Sequence, residues 1–357
     1  MESTDSPTVL LKEFTQRKPI RTRSLVITFF GDIVSQHGGN VWLGSLISVL
    51  AKFEINERLV RTTVFRLVQD DWLEAHRLGR RSYYRFSEYG KQEYERAARR
   101  IYSVHEADWS GSWQLVILRG VSEERKEKLS RSLRWQGYRS VTAGVLAKPG
   151  EGGGDLTETL RKFSAQDEVL LMSATTPEIS SAEIIRDLVY KSWRLDEVAQ
   201  GYNQFLNRYR PIFSWFKNNE GETETLFETA CFVRLMLIQD YRRLLLQEVP
   251  IPRQLLPASW PGFDARHLAA KIYHILGPLS VKYIKTELEN ANGNFPEAAP
   301  GFSKRFNEKC KKVAKFLNKH AFFVFLFSYL SIMVSLSVVN RIFSSPPIKI
   351  EKKPEYE

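Results

Sequence analysis

The sequence predicts a multidomain α+β protein, and three observations carry that prediction. In the first hundred residues, apolar spacing at helical period gives way to two short runs joined by a glycine turn. In the middle third, strand-like runs alternate with polar helices, and beyond Leu195 the apolar period is helical. A chain of 357 residues is long enough for two or three domains that bury their own cores. Its composition, 43% hydrophobic and 26% charged, excludes a disordered chain. Fifty-two Lys and Arg against 41 Asp and Glu give a formal charge of +11, which favours an anionic partner such as nucleic acid. The only cysteines, Cys231 and Cys310, form no CxxC pair, so neither a disulfide framework nor a zinc site is expected. Residues 1–14 lack the basic and long apolar segments of a signal peptide, which fits a cytoplasmic location.

The first helix is expected over RTRSLVITFFGDIVSQ, residues 21–36, with Leu25, Ile27, Phe29, Phe30, Ile33 and Val34 at buried-helix spacing, stopped by Gly38 and Gly39. Val41 and Trp42 follow, then a second helix from about Ser45 to Ala51. A third helix starts at Asn56, a good N-cap, with Glu57 in its first turn. Leu59, Val60, Val64, Leu67 and Val68 are expected to face inward, leaving Arg58, Arg61, Thr62 and Phe65 or Arg66 on the outer side. Residues 72–78 and 82–86 read as strands joined by Gly79-Arg80-Arg81, and Ser87 caps a further helix. Three helices followed by an arginine-tipped hairpin make a winged helix-turn-helix. Arg58, Arg61, Thr62 and Arg66 are then the candidates for the DNA major groove, with Arg80 and Arg81 on the backbone or minor groove of double-stranded operator DNA. An isolated helix with such arginines is usually just a solvated face; the combination with the hairpin is what points to DNA.

The segment VRTTVFRLVQDDWLEAHRLGRRSYYRFSEYG resembles the recognition helix, wing and following helix of the PaaX family of phenylacetic acid degradation repressors, and RTRSLVITFFGDIV extends the resemblance. A second strong match is RLMLIQDYRRLLLQEVPIPRQLLPASWPG, continued by ARHLAAKIYHIL, so that the resemblance runs to about residue 306. It implies a homodimeric repressor of phenylacetate-degradation genes, released by an acyl-CoA effector such as phenylacetyl-CoA, with no catalytic cofactor. Regulation of another acyl-CoA or aromatic pathway, or a membrane-tethered interaction or sensor protein, are the alternatives.

In the middle region, Trp113–Leu118, residues 138–147 and Val169–Met172 read as strands and Ser122–Trp135, Asp155–Phe163 and Ala182–Trp193 as helices, an order that fits a ferredoxin-like domain. The family resemblance extends this domain's likeness to small CRISPR-adaptation proteins, some of them nucleases with an Asp ending the first strand. Here that strand ends Leu118-Arg119-Gly120, and an Arg does not hold a divalent metal, so no nuclease is expected and the domain reads as a dimerisation or linker module. Gly152–Gly154 lacks a following GK[ST] and reads as a loop. The six histidines are scattered without ligand spacing, no G-x-S-x-G elbow occurs, and neither a catalytic set nor a metal site is expected.

The third region is helical until Pro250 and Pro252. If a coenzyme A thioester is sensed, Arg234, Arg242 and Arg243, with Tyr202, Tyr241 and Trp260, have the chemistry to hold its phosphates and aromatic group, although arginines near Asp240 and Glu248 are more often ion pairs and aromatics at helical spacing more often core. Expected boundaries are a winged helix over 15–105, a ferredoxin-like domain over 106–193, a helical domain over 194–306 and an atypical tail over 307–357. In that tail, AFFVFLFSYLSIMVSLSVVN, residues 321–340, follows a lysine-rich flank and is long enough to span a bilayer. A membrane tether, an oligomer or core helix, and sequence without function are the three readings of it.

Overall fold

A computed structural model describes residues 6–17, 21–102, 109–150, 155–177, 181–219, 221–247 and 251–306. The chain opens on a helix that periodicity did not reveal, α1 (Pro7–Gln16), whose Ser6 cap accepts a hydrogen bond from the Val9 amide and whose proline occupies the first turn. Its Leu10 and Phe14 are buried, Phe14 packing edge-on to Phe53 at 5.5 Å. Helix α2 (Thr22–Asp32) is buried on nearly every side, and a 3-10 turn (Val34–Gln36) follows it. Strand β1 (Asn40–Trp42), α3 (Leu43–Ala51) and α4 (Glu57–Gln69) lead to the hairpin of β2 (Leu73–Leu78) and β3 (Arg81–Phe86). These strands form one antiparallel sheet in the order β1-β3-β2.

Leu78 pairs with Arg81, so the turn has two residues, Gly79 and Arg80, with Gly79 at φ 58°. Arg81 therefore belongs to the strand and not to the turn. Helix α5 (Glu88–Tyr102) starts against the hairpin so tightly that a Cβ on Gly90 would lie 2.2 Å from the Trp72 carbonyl oxygen.

The middle region is β4 (Ser112–Leu118), α6 (Glu123–Trp135), β5 (Arg139–Thr142), β6 (Val145–Pro149), α7 (Asp155–Lys162), β7 (Val169–Thr175) and α8 (Ala182–Ser192). Its antiparallel sheet has the order β5-β6-β4-β7. The single strand expected over residues 138–147 is two, because Gly144 at φ 74° turns the chain back on itself. Val116, Leu129, Leu133, Tyr138, Leu146, Leu156 and Leu160 form a separate core beneath this sheet.

The third region is α9 (Leu195–Asn218), α10 (Glu224–Gln247), α11 (Pro261–Glu287) and the short hairpin of β8 (Glu289–Asn290) and β9 (Gly293–Asn294). Helices α10 and α2 pack together, and one hydrophobic cluster takes in residues from Leu10 to Tyr102 and from Val189 to Phe306, joined by Trp113 and Ala147 of the middle sheet. The molecule is thus a mixed α/β N-terminal region, a β-sheet middle region and an α-helical C-terminal region, a multidomain α+β architecture.

The membrane partner and inner-membrane tether expected through residues 321–340 require correction. Among the described residues no helix is long and apolar enough to cross a membrane. The longest ones, α9, α10 and α11, are interrupted by charges such as Arg208, Asp240 and Lys271, which a bilayer core would penalise. Residues 321–340 lie outside the described residues, as do Gly152–Gly154.

Candidate nucleic-acid interface and its buried support

Helix α4 divides its faces sharply. Val60, Thr63, Val64 and Leu67 are buried, whereas Arg58, Leu59, Arg61, Thr62, Phe65 and Arg66 are exposed. Leu59, expected inside, is 43% exposed, and Thr63 takes the inward position, its hydroxyl bonded to the Leu59 carbonyl at 2.7 Å. The Asn56 side chain caps the helix through the Leu59 amide at 2.9 Å. Arg61 pairs with Glu57 one turn back at 2.7 Å, and the Thr62 hydroxyl donates to the Arg58 carbonyl. The ion pair is exposed at both ends and worth little in water, so Arg61 is free to exchange Glu57 for a stronger acceptor. Phe65, 62% exposed, adds an apolar surface suited to a thymine methyl.

Beside this face stands the hairpin. Arg80 is exposed in its turn, and Arg85 bridges to Glu74 on the neighbouring strand at 2.7 Å. Arg81 is engaged: its guanidinium lies 4.3 Å from the centre of the Trp42 ring and pairs with Glu289 on β8. The bonds from Glu289 and then Tyr83 hold the Arg81 pKa above its ordinary value. Residues 289–299 also hold the 3-10 turn after α2, the start of β1 and helix α3. The Glu289 amide donates to Ser45 Oγ at 3.0 Å, the Ala291 amide to Asn40 Oδ1 at 2.9 Å and the Ala299 amide to the Gln36 carbonyl at 2.8 Å. His37 Nδ1 meets the Pro296 carbonyl at 2.9 Å with its ring stacked on Phe295; burial lowers its pKa more than that carbonyl raises it. Glu289 thus sets a carboxylate against the Arg81 guanidinium. Glu289→Gln is expected to tighten DNA binding roughly twofold to fivefold and to steepen its salt dependence by about 0.9 in log–log slope. Titrations at several salt concentrations check this; an unchanged slope would remove Arg81 from the phosphate contacts.

Below the interface lies a buried ion network centred on Asp32 of α2. Arg234 of α10 pairs with its Oδ2 at 2.8 Å, and Arg305 with its Oδ1 at 2.8 Å. Tyr102 and Tyr273 donate to Oδ1 at 2.7 and 3.0 Å. Arg234 also donates to Ser280 Oγ at 2.9 Å and to the Asp32 carbonyl at 2.8 Å, so both terminal nitrogens of its guanidinium are hydrogen-bonded. Burial pushes the Asp32 carboxyl up, but Arg234, Arg305 and the two tyrosine hydroxyls outweigh it and hold it below the usual carboxylate range. This network joins α2 of the first region to α10, α11 and residue 305.

The fold gives the six candidates for an effector site different surroundings. Arg234 lies in the Asp32 network, and Arg242, also buried, donates to Ser24 Oγ at 3.1 Å. Arg243 is exposed on the same helix. Tyr241 stacks between Phe205 and Phe306, and Trp260 packs edge-on to Tyr202 at 5.9 Å. Among the described residues no group of three or more His, Cys, Asp or Glu is gathered to hold a metal ion.

Residues 21–90 match the model of the PaaX-like protein family, and residues 193–286 match that of the PaaX-like protein C-terminal domain. The transcriptional repressor PaaX of Escherichia coli (strain K12) is 32% identical over 288 residues, which span 81% of this chain and 90% of that protein. An uncharacterized protein from Mycobacterium tuberculosis of known structure superposes with a TM-score of 0.41 at 19% identity, covering 66% of this chain and 90% of its own. These matches define the chain as a transcriptional regulator and not an enzyme. It belongs to the PaaX-like family of repressors.

Proposed function

We propose that this chain represses genes of phenylacetate breakdown and leaves its operator when an aryl-acyl-CoA such as phenylacetyl-CoA binds. The observation that carries the DNA half of this reading is the exposed face of α4, with Arg58, Arg61, Thr62, Phe65 and Arg66, standing beside the arginine-bearing hairpin. Three helices and a two-strand wing over residues 15–105 form the winged helix-turn-helix. The β4-α6-β5-β6-α7-β7 order of residues 106–193 is that of a ferredoxin-like domain serving as dimerisation or linker module, followed by the helical domain of 194–306. Two copies then present α4 to the half-sites of an inverted repeat, Arg58, Arg61, Thr62 and Arg66 to base edges and Arg80 and Arg81 to the backbone. The effector favours the dimer geometry that fits the half-site spacing less well, since a ligand shifts an equilibrium only through its differential affinity.

The test is binding of the full chain to the DNA upstream of its own gene neighbourhood, by fluorescence anisotropy, with and without phenylacetyl-CoA. Specific binding released by the thioester supports the reading. Specific binding that the thioester leaves untouched discards the effector and keeps the repressor. Binding no tighter than to random DNA would sink the operator assignment.

A further inference from the structure

Next to the Asp32 network a cavity of about 540 Å³ opens between the turn after α2, strand β3 and helix α5, a volume ordinary for a small-molecule site. Its walls are chemically divided. Phe86 and Ala98 give an apolar surface, Ser35 and Asn40 supply polar groups, and Tyr94 and Arg305 lie at the buried end. Phe86 and Tyr94 stack at 5.6 Å and 25°, presenting a flat aromatic wall.

Electrostatics gives this cavity its sign. Arg234 and Arg305 both draw on the one carboxylate of Asp32, so the buried network holds a positive charge in excess. Arg305 is also the cationic side chain that reaches the cavity from that network, its side chain 10% exposed. Glu74 is committed to Arg85, while Glu88 and Glu95 stand at exposed positions with Lys91 on the same helix, where water screens them. Charge at the dry end therefore counts for more than charge at the rim.

We propose that this cavity is the effector site, taking an organic anion with an aromatic or apolar end, its anionic group on Arg305 at the buried end and its apolar end against Phe86 and Ala98. The proposal rests on the effector reading above and gives it a place. Arg305 ends the segment whose Glu289, Ala291 and Ala299 hold Arg81, the start of β1 and the 3-10 turn after α2. An anion drawing Arg305 away from Asp32 therefore acts on the same segment that restrains Arg81. A free aryl acid and its coenzyme A ester share this chemistry, the first through a carboxylate, the second through phosphates.

The experiment titrates phenylacetate, coenzyme A and phenylacetyl-CoA into the full chain by calorimetry, alone and on DNA, for the wild type and for Ala98→Trp and Lys91→Glu. Ala98 is partly buried where it lines the cavity and Lys91 is exposed; far-UV circular dichroism and DNA affinity without probe establish that each variant is folded before its titration is read. The expected result is that Ala98→Trp weakens the bound probe by about tenfold or more and Lys91→Glu, at the screened rim, by about threefold, while DNA affinity without probe stays within about twofold. Tightest binding of phenylacetate identifies the carboxylate as the recognised group, and a requirement for the coenzyme identifies the phosphates. A probe that binds wild type and both variants equally overturns the cavity and leaves the effector reading standing. If none of the three probes binds the wild type, the cavity proposal and the effector reading fall together while the operator assignment is untouched.

Discussion

Asp32→Asn is expected to lower stability by about 3–5 kcal/mol, the scale for removing one partner of a buried ion pair and stranding the other. Here two guanidiniums lose their carboxylate at once. Arg234 is fully buried and has no surface to offer water, while Arg305 keeps only 10% of its side chain exposed, at the cavity. The pH dependence has a definite sign. Because the folded-state pKa of Asp32 is lowered, its contribution is complete above the unfolded carboxylate value of about 3.9 and is lost as pH falls through the lower folded value. Wild type should therefore shed stability below about pH 4 more steeply than Asp32→Asn. Urea unfolding as a function of pH measures both effects; a loss under about 1 kcal/mol at neutral pH would show that the network is dispensable.

Arg61→Ala is expected to produce the largest loss of operator affinity of any single change on α4. A bidentate arginine contact with a base edge contributes about 1–3 kcal/mol of discrimination, or roughly fivefold to 150-fold. Binding to random DNA should fall far less, and the variant should fold normally, since among the described residues the partner it loses is the exposed Glu57. Anisotropy with operator and scrambled duplexes separates the outcomes. An equal fall on both would reassign Arg61 to a phosphate.

How much of this was legible in the sequence differs from element to element. Helix α4 and the hairpin could be read because each carries its period over several repeats, and because Asn56 and Gly79 mark where one begins and the other turns. Two errors have local causes. Leu59 and Thr63 lie four residues apart on the same stretch of helix, and a Thr that bonds its own backbone can replace an apolar residue at the core boundary. Gly144 splits a strand that alternation alone would have continued. Helix α1 left a signal in Ser6-Pro7, a capping residue followed by proline, which only three buried apolar-facing turns of chain made too short to notice by periodicity.

The arginines proposed for DNA could be grouped from the sequence and the buried ion network could not, for a physical reason. Those arginines sit in one helix and one hairpin, so their grouping is local. Asp32 and Arg234 are each an isolated charge in an apolar run, FFGDIV and FVRLML, and their pairing across the chain could not be read from either. A lone charge flanked by buried residues does signal that a partner exists; it does not say which. Arg234 stood out as a charged residue with a task, and the fold gives it Asp32.

The shared core of the first and last regions has a consequence for how the chain is made. Helices α1 and α2 bury Leu10, Phe14, Leu25 and Phe29 in a cluster completed by Phe232, Leu235 and Leu276, which leave the ribosome more than two hundred residues later. At about 5–20 residues per second the N-terminal apolar face waits at least on the order of ten seconds for its packing partners, while the middle region can condense on its own separate core in the interval. Nascent chains stalled before and after α10 should accordingly differ in protease resistance at residues 21–51, a dependence that would be absent if the DNA-facing region folded as an autonomous unit.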